Sequence, residues 1–392
     1  MLTPDTIADV QSAIAGAGAD GWLLYDFRGC NPIAQSFMRL TGMVSRRVFL
    51  WVPVQGTPVA ITHAIEQLQW SHWPAAWERR VYASWRTFES DLAWLVAGKR
   101  VLMEYSPGDA VPVVDRVPAG VLEMVRAAGA EVLTSADLVS RFFAVWTAPQ
   151  LAAHLRASEL IARFAHEAFA RAGAAARAGA PIHEHDLMFW LREQFAAHGV
   201  STDHGPNVSA GANAANPHYE PSAAASRALV MGDTILIDLW AMEPDCPYAD
   251  QTWMGCIGEP SARLLEVWTA VRDARVAAET LVRDRITAGA PVRGADADDA
   301  ARAVIERAGF GPYFTHRTGH SIDARSIHGS GPNLDNLETR ETRLLIPGVG
   351  FSIEPGVYIP GEIGVRSEVN GYIGEDGLLI TPQVTQHDLI VV

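Results

Sequence analysis

The chain is predicted to form two domains of mixed α and β structure: an α/β domain over residues 1–149 and an α+β domain with an internal repeat over residues 150–392. Three observations predict this. Short strand-like runs and amphipathic helical patterns share the first ~145 residues, a normal length for one domain. Thr147-Ala148-Pro149 reads as a boundary that opens a new helix. Beyond it, sequence features recur at a fixed spacing, as they do when a fold contains two similar halves.

Taken in order, Thr3-Pro4-Asp5 has the cap, early proline and acidic start of a helix, with Ile7, Val10 and Ile14 on one face and Gly18 as its stop. Residues 21–26, 46–54, 58–63 and 101–105 read as strands, residues 121–128 as a helix, and residues 131–133 as a further strand. No Gly-rich phosphate loop follows any of these strands, so a nucleotide site is not indicated. Trp70, Trp73, Trp77 and Trp85 crowd one segment, which suits aromatic packing inside the domain or an exposed subunit surface. After the boundary, Leu151, Leu155, Ile161, Phe164 and Phe169 mark the apolar side of a long helix.

The repeat follows. Ala178-Gly179-Ala180-Pro181 opens a helical segment ending at Gly199, and Ala288-Gly289-Ala290-Pro291 opens one ending at Gly309. From 178 to 288, from 199 to 309 and from His218 to His328 the offset is 110. Two halves so related face each other, and a residue and its mate then lie on opposite sides of a shared cleft.

Composition bounds what such a cleft can do. With 392 residues, 48% hydrophobic and 19% charged, the chain can fill two cores and is not disordered. A formal net charge of −14 argues against a nucleic-acid partner. The start, Met1-Leu2-Thr3-Pro4-Asp5, lacks the basic and apolar regions of a secretory leader, and no apolar run reaches bilayer length. A cytoplasmic protein without a membrane partner is expected. Cys30, Cys246 and Cys256 are scattered, which suits neither a disulfide framework nor a Cys-based zinc site.

Chemistry concentrates in the second domain. The stretch Thr234–Thr252 alternates in the period of a strand on either side of an acidic, Pro-containing break, and reads as a β-hairpin. Asp238 shares a face with Leu236 and Trp240, and Asp250 with Tyr248 and Thr252. A carboxylate in such company is costly unless paired, so a cation between the two arms is indicated. Gly319-His320 follows an aromatic segment, Glu354 interrupts an apolar strand before Pro355-Gly356, and Arg366 and Glu368 stand two residues apart, about 6.8 Å along a strand. Four carboxylates and one imidazole in strand-like apolar settings fit a carboxylate-rich dinuclear metal site.

Asp238, Asp250, Gly319-His320, Glu354-Pro355-Gly356 and Arg366-Ser367-Glu368 resemble, in order, the Asp, Asp, His, Glu, Glu ligands of the pita-bread metallopeptidases. These are prolidase, aminopeptidase P and methionine aminopeptidase, with creatinase as a non-peptidase relative. The resemblance extends over essentially the full chain, because prolidase and aminopeptidase P carry a creatinase-like α/β domain in front. It implies metal ligation by Asp238, Asp250, His320, Glu354 and Glu368, substrate-facing roles for His218 and His328, and supporting roles for Tyr358 and Arg366. It implies two divalent ions, with Mn best suited to oxygen-dominated ligation and Co or Zn as substitutes. Glu354 is the expected proton shuttle.

The activity so implied is hydrolysis of the bond preceding proline in Xaa-Pro dipeptides by a metal-bridging hydroxide, in a homodimer. The alternatives are aminopeptidase P activity on longer Xaa-Pro peptides and, in a different class, a metal-free creatinase-like enzyme or binding protein. Arg317, Arg325 and Arg366 are candidates for holding a dipeptide carboxylate, with Arg325 the first choice. The sequence departs from the family pattern at Gln251-Thr252-Trp253, at Ser321, at Gly329, and in an interval of 8 from His320 to His328. These departures bear on the shape of the substrate pocket.

Overall fold

Strands buried on both faces dictate the first sheet. The computed structural model describes residues 2–392, which divide into two compact units, residues 2–143 and Ala144–Val392. In the first unit α1 (Ile7–Gly16), β1 (Gly21–Asp26), α2 (Pro32–Met38), β2 (Val48–Pro53), β3 (Val59–His63) and β4 (Glu78–Tyr82) are followed by α3 (Trp85–Val96), β5 (Arg100–Met103), α4 (Ala119–Ala127), β6 (Glu131–Thr134) and α5 (Ala136–Phe143). The strands form one mixed sheet in the order β4-β3-β2-β1-β5-β6. Because side chains alternate across a strand, Trp22, Leu24, Leu50 and Val52 join a core with α1, α2 and α5. Leu23, Tyr25, Phe49 and Trp51 join another with α3 and α4.

The expected strands are present, most with trimmed ends. Strand β4 was not anticipated, because most of its side chains are exposed and an edge strand of charged residues carries little apolar signal. Trp70, Trp73 and Trp77 are buried and meet edge to face, with ring centroids 5.1 and 4.9 Å apart. They therefore offer no exposed subunit surface, and only Trp85 of that group is exposed.

Inside this unit Glu104 is fully buried and accepts hydrogen bonds from Trp22 Nε1 (2.5 Å), Asn31 Nδ2 (2.8 Å) and Ser135 Oγ (3.1 Å). Burial pushes its carboxyl up to about 7, against the pull of those three donors. The folded state then holds a proton that the unfolded chain releases, so this contribution to stability is complete below the unfolded value and is lost as pH rises towards 7. The loss is expected to be about 3 kcal/mol. The pH dependence of urea midpoints between pH 4.5 and 8 should flatten by this amount in Glu104→Gln, and an unchanged profile would show that Glu104 titrates normally.

In the second unit α6 (Ala148–Arg177), α7 (Glu184–Ala197), β7 (Asn207–Ala210), β8 (Thr234–Ala241) and β9 (Ala249–Cys256) make one half. The other half is α8 (Ala262–Thr287), α9 (Gly294–Arg307), β10 (Ser321–Ile322), β11 (Gly350–Ile353), β12 (Gly356–Ile359), β13 (Ile363–Arg366), β14 (Val369–Gly374) and β15 (Gly377–Thr381), with β16 (Ile390–Val391) last. The 110-residue offset is structural: α7 and α9 are displaced by that number at both ends, and His183 and Arg293 make matching bridges just before them. Each half has its own core, Phe164, Phe169, Leu187 and Leu191 in the first and Trp268, Val271, Ile305 and Phe351 in the second. The sheets are β16-β9-β8-β7 and β10-β11-β14-β15, with β12 and β13 as a separate pair.

Helix α6 starts at the expected place, where Thr147 accepts from Gln150 N at 3.4 Å and the Gln150 side chain accepts from Thr147 N at 2.9 Å. Its first buried face is Ala153, His154 and Ala157, while Leu151 and Leu155 are half-buried. Leu151 instead packs beside Trp146, Tyr248 and Ile322. Among the described residues, no helix is long and apolar enough to cross a membrane.

Candidate metal centre

The hairpin is the frame of the site. Strands β8 and β9 pair antiparallel with Asp238 opposite Thr252 and Trp240 opposite Asp250, so all four side chains lie on one face of the sheet. The Asn370 amide on β14 fixes β9 to the other half: its oxygen accepts from Asp250 N at 2.9 Å and its nitrogen donates to Asp250 O at 2.7 Å. Asp250 is thereby brought towards His320, just before β10, and Glu354, just after β11. Gly319 is required here, because a Cβ would sit 2.0 Å from Ser352 O. His320 N then donates to Ser352 Oγ (2.9 Å), and Ser352 Oγ donates to Glu354 Oε1 (2.9 Å).

Each half uses a buried carboxylate on its second helix to set the loop bearing a cavity histidine. Glu184 on α7 accepts from Ala210 N (2.7 Å), Asn213 Nδ2 (3.1 Å) and Tyr219 Oη (2.7 Å), around the His218 loop. Asp298 on α9 accepts from Thr318 N (3.0 Å) and Oγ1 (2.6 Å), two residues before His320.

One oxygen each of Asp250 and Glu368 and one His320 nitrogen lie within 4.8 Å of one another. Glu354 adjoins them, its Oε1 3.3 Å from His320 Nε2, while Asp250 Oδ2 is 3.4 Å from the same nitrogen. Asp238 stands slightly apart in an ion pair with Arg366. Thr252, unremarked in the sequence beyond its place on the hairpin face, links the pieces: it donates to Glu368 Oε2 at 2.7 Å and accepts from Arg366 Nε at 2.7 Å. Tyr358 Oη lies 2.9 Å from His316 Nε2 and 3.5 Å from Arg366.

The electrostatics call for a cation. Burial pushes the Asp250 carboxyl up to about 8, with Glu354 adding to the shift. Burial takes Asp238 to about 6 against the pull of Arg366 and raises Glu368 well above the usual range. Burial opposes the Glu354 charge as well, but His320, Arg366 and His316 together hold its carboxyl below the usual value. His320 is pushed down, chiefly by burial. Its Nδ1, 3.1 Å from Ser321 O, is assigned the proton, so Nε2 presents a lone pair to two carboxylate oxygens. With the carboxyls ionised, that arrangement repels unless a positive ion sits between, and the oxygen and imidazole donors fit a divalent metal.

A cavity of about 580 Å³ lies over this cluster, lined by Asp238, Asp250, His320, Glu354, Arg366 and Glu368, with His218 and His328 among its walls. The two histidines of the repeat thus reach one cleft, His328 edge-on to His320 at 4.2 Å between ring centroids. Neighbouring His320 and then burial push His328 down to about 3. A second cavity of about 430 Å³ shares His218, His320, His328, Glu354 and Arg366 and adds His316 and Arg317. Arg325, the first choice from sequence, lines neither cavity. Its backbone N instead donates to Asp323, which also binds Ser326 N and Ser330 N and shapes the His328 loop.

The departures from the family pattern have local causes. Gln251 points away from the cavity face and donates to Ser158 O at 2.9 Å on α6. Gly329 runs so near β10 that a Cβ would lie 2.9 Å from Ser321 Oγ. Sequence reasoning missed Thr252 as a link, His316, Asp323 and Asp203. An Asx-type turn at Asp323 could have been read from Asp-Ala-Arg-Ser, whereas the others depend on long-range contacts.

The model of metallopeptidase family M24 matches residues 153–375. The chain is 32% identical over 209 residues to a probable dipeptidase PepE of Mycobacterium tuberculosis, covering 53% of this chain and 52% of that one. It is 36% identical over 170 residues to an Xaa-Pro dipeptidase of Lactobacillus helveticus, covering 43% and 42%. These alignments span about half the length of the curated relatives or less. Among solved structures, dipeptidase PepE from Mycobacterium ulcerans superposes with a TM-score of 0.73 at 25% identity, over 99% of this chain and 97% of that one. This likeness bears out the expected α/β domain joined to a pita-bread domain, and with the family match over more than half of its residues the chain belongs to metallopeptidase family M24.

Proposed function

We propose that the chain hydrolyses the peptide bond preceding proline, with Xaa-Pro dipeptides as preferred substrates and divalent ions held by Asp238, Asp250, His320, Glu354 and Glu368. The observation that carries this reading is His320 Nε2 lying 3.4 Å from Asp250 Oδ2 and 3.3 Å from Glu354 Oε1, with a Glu368 oxygen in the same buried group. The oxygen-dominated donor set favours Mn, with Co or Zn as substitutes. When bound, such ions polarise a carbonyl and acidify water.

The residues divide the remaining work. Glu354, kept ionised and steadied by Ser352, takes a proton from the attacking water and passes it to the leaving nitrogen. His328, neutral at pH 7, and His218 donate hydrogen bonds to the carbonyl oxygen as it gains charge. Arg366 neutralises Asp238 and, with His316, positions Tyr358. Arg317, 3.9 Å from Glu338, takes the place first given to Arg325 and receives the dipeptide carboxylate.

Mn is expected to raise the melting temperature and chelator to lower it, by about 2.7 kcal/mol of stability at a hundredfold excess over Kd. An Xaa-Pro dipeptide should be cut faster than an Xaa-Pro-Yaa tripeptide. Faster tripeptide cleavage would move the activity to aminopeptidase P. Identical melting curves with no hydrolysis would favour the metal-free creatinase-like or binding alternative. The family also suggests a cytoplasmic homodimer, and light scattering at the mass of one chain would contradict that assembly.

A further inference from the structure

The wall of the larger cavity carries a charge that the proposed chemistry does not use. Asp203 lies just after the bridge between Ser201 and Met242, lines that cavity, and belongs to none of the metal-facing groups. Its Oδ1 accepts from Trp240 Nε1 at 2.7 Å. Trp240 is on β8 two residues beyond Asp238 and on the same face, so the indole ties Asp203 to the strand that frames the centre. Burial works against the Asp203 charge, but the bonds from Trp240 and His204 prevail and hold the carboxyl below its usual value.

A carboxylate so oriented and ionised, exposed on the cavity wall, is a receptor for a cation. His204 Nδ1, 3.2 Å from Oδ2, is largely exposed and neutralises it only when protonated. The smaller cavity adds Arg317 and His316, with Glu338 3.9 Å from Arg317, whereas the larger one adds the acids Asp203 and Glu220. We infer that Asp203, positioned by Trp240, binds a cationic group of the residue on the amino side of the scissile bond. This rests on the peptidase reading for its orientation. That group is either a free α-amine or a basic side chain.

Binding rather than turnover tests it, so that a failure here is separable from a failure of the peptidase assignment. The probes are leucine amide, N-acetyl-lysine amide and N-acetyl-leucine amide, titrated calorimetrically into Mn-treated protein. Asp203→Asn should weaken at least one cationic probe by about tenfold or more and leave N-acetyl-leucine amide unchanged. Loss confined to leucine amide assigns the α-amine, and loss confined to N-acetyl-lysine amide assigns the side chain. Trp240→Phe, which keeps the ring and removes the N–H, should weaken the same probe less. Equal affinities of wild type and Asp203→Asn for both cationic probes would overturn the inference, as would an equal loss for all three. If Asp203→Asn melts well below the wild type, Asp203→Glu decides: it keeps the charge and should restore the preference for the cationic probe.

Discussion

Glu368→Ala is expected to lower turnover on an Xaa-Pro dipeptide by on the order of a thousandfold, because the several kcal/mol of charge stabilisation available at the proposed two-ion site would depend on both ions being held. Glu368 is 5% exposed, contributes an oxygen to the tight group with Asp250 and His320, and is fixed by Thr252 at 2.7 Å. The same substitution should act oppositely on the metal-free chain. Glu368 there competes with Asp250, Glu354 and Asp238 for one stretch of buried space, and its carboxyl is driven upward by burial and by those neighbours. Removing it ends the cost of holding that acid in a buried acidic cluster, so the metal-free melting temperature should hold or rise while the increase caused by Mn disappears. Elemental analysis, melting curves and kinetics on one preparation check all three. A variant that melts lower without metal and still gains stability from Mn would show that Glu368 supports the fold and does not hold an ion.

Much of this centre was legible in the sequence because its parts are local. The hairpin carrying Asp238 and Asp250 announces itself by period-two alternation, and the helices of the repeat by their glycine stops at matching offsets. The five proposed metal-holding residues sit in short motifs with telling neighbours: Gly319 lets its backbone approach Ser352, and the Ser352 hydroxyl links His320 N to Glu354. What escaped is what long-range pairing decides. Thr252 acquires its role only because Glu368 and Arg366 arrive from residues more than a hundred positions away. Asp203 is an unremarkable loop acid until Trp240 donates to it. The choice between Arg325 and Arg317 turns on the same kind of contact: proximity along the chain placed both near His320, but Arg317 lines a cavity and Arg325, beyond the turn at Asp323, does not.

Arg366 should prove the residue on which the metal-free fold leans most. It is 6% exposed, forms an ion pair with Asp238, and donates through Nε to Thr252 at 2.7 Å. Removing one member of a buried pair leaves the other charge uncompensated, typically at a cost of about 3–5 kcal/mol. Arg366→Met, which keeps the apolar stem, is expected to lose this much from the urea unfolding free energy of the metal-free protein, and Mn should restore part of it by neutralising Asp238 and Glu368 in another way. Arg366→Lys keeps a charge but lacks the planar fork that meets Asp238 and Thr252 together, so it should fall between wild type and Met. A double variant with Asp238→Asn supplies the decisive comparison. If the pair is what matters, Asp238→Asn should offset much of the loss caused by Arg366→Met, giving a double variant less destabilised than the sum of the two. Strict additivity would place the importance of Arg366 in its packing against the surrounding strands.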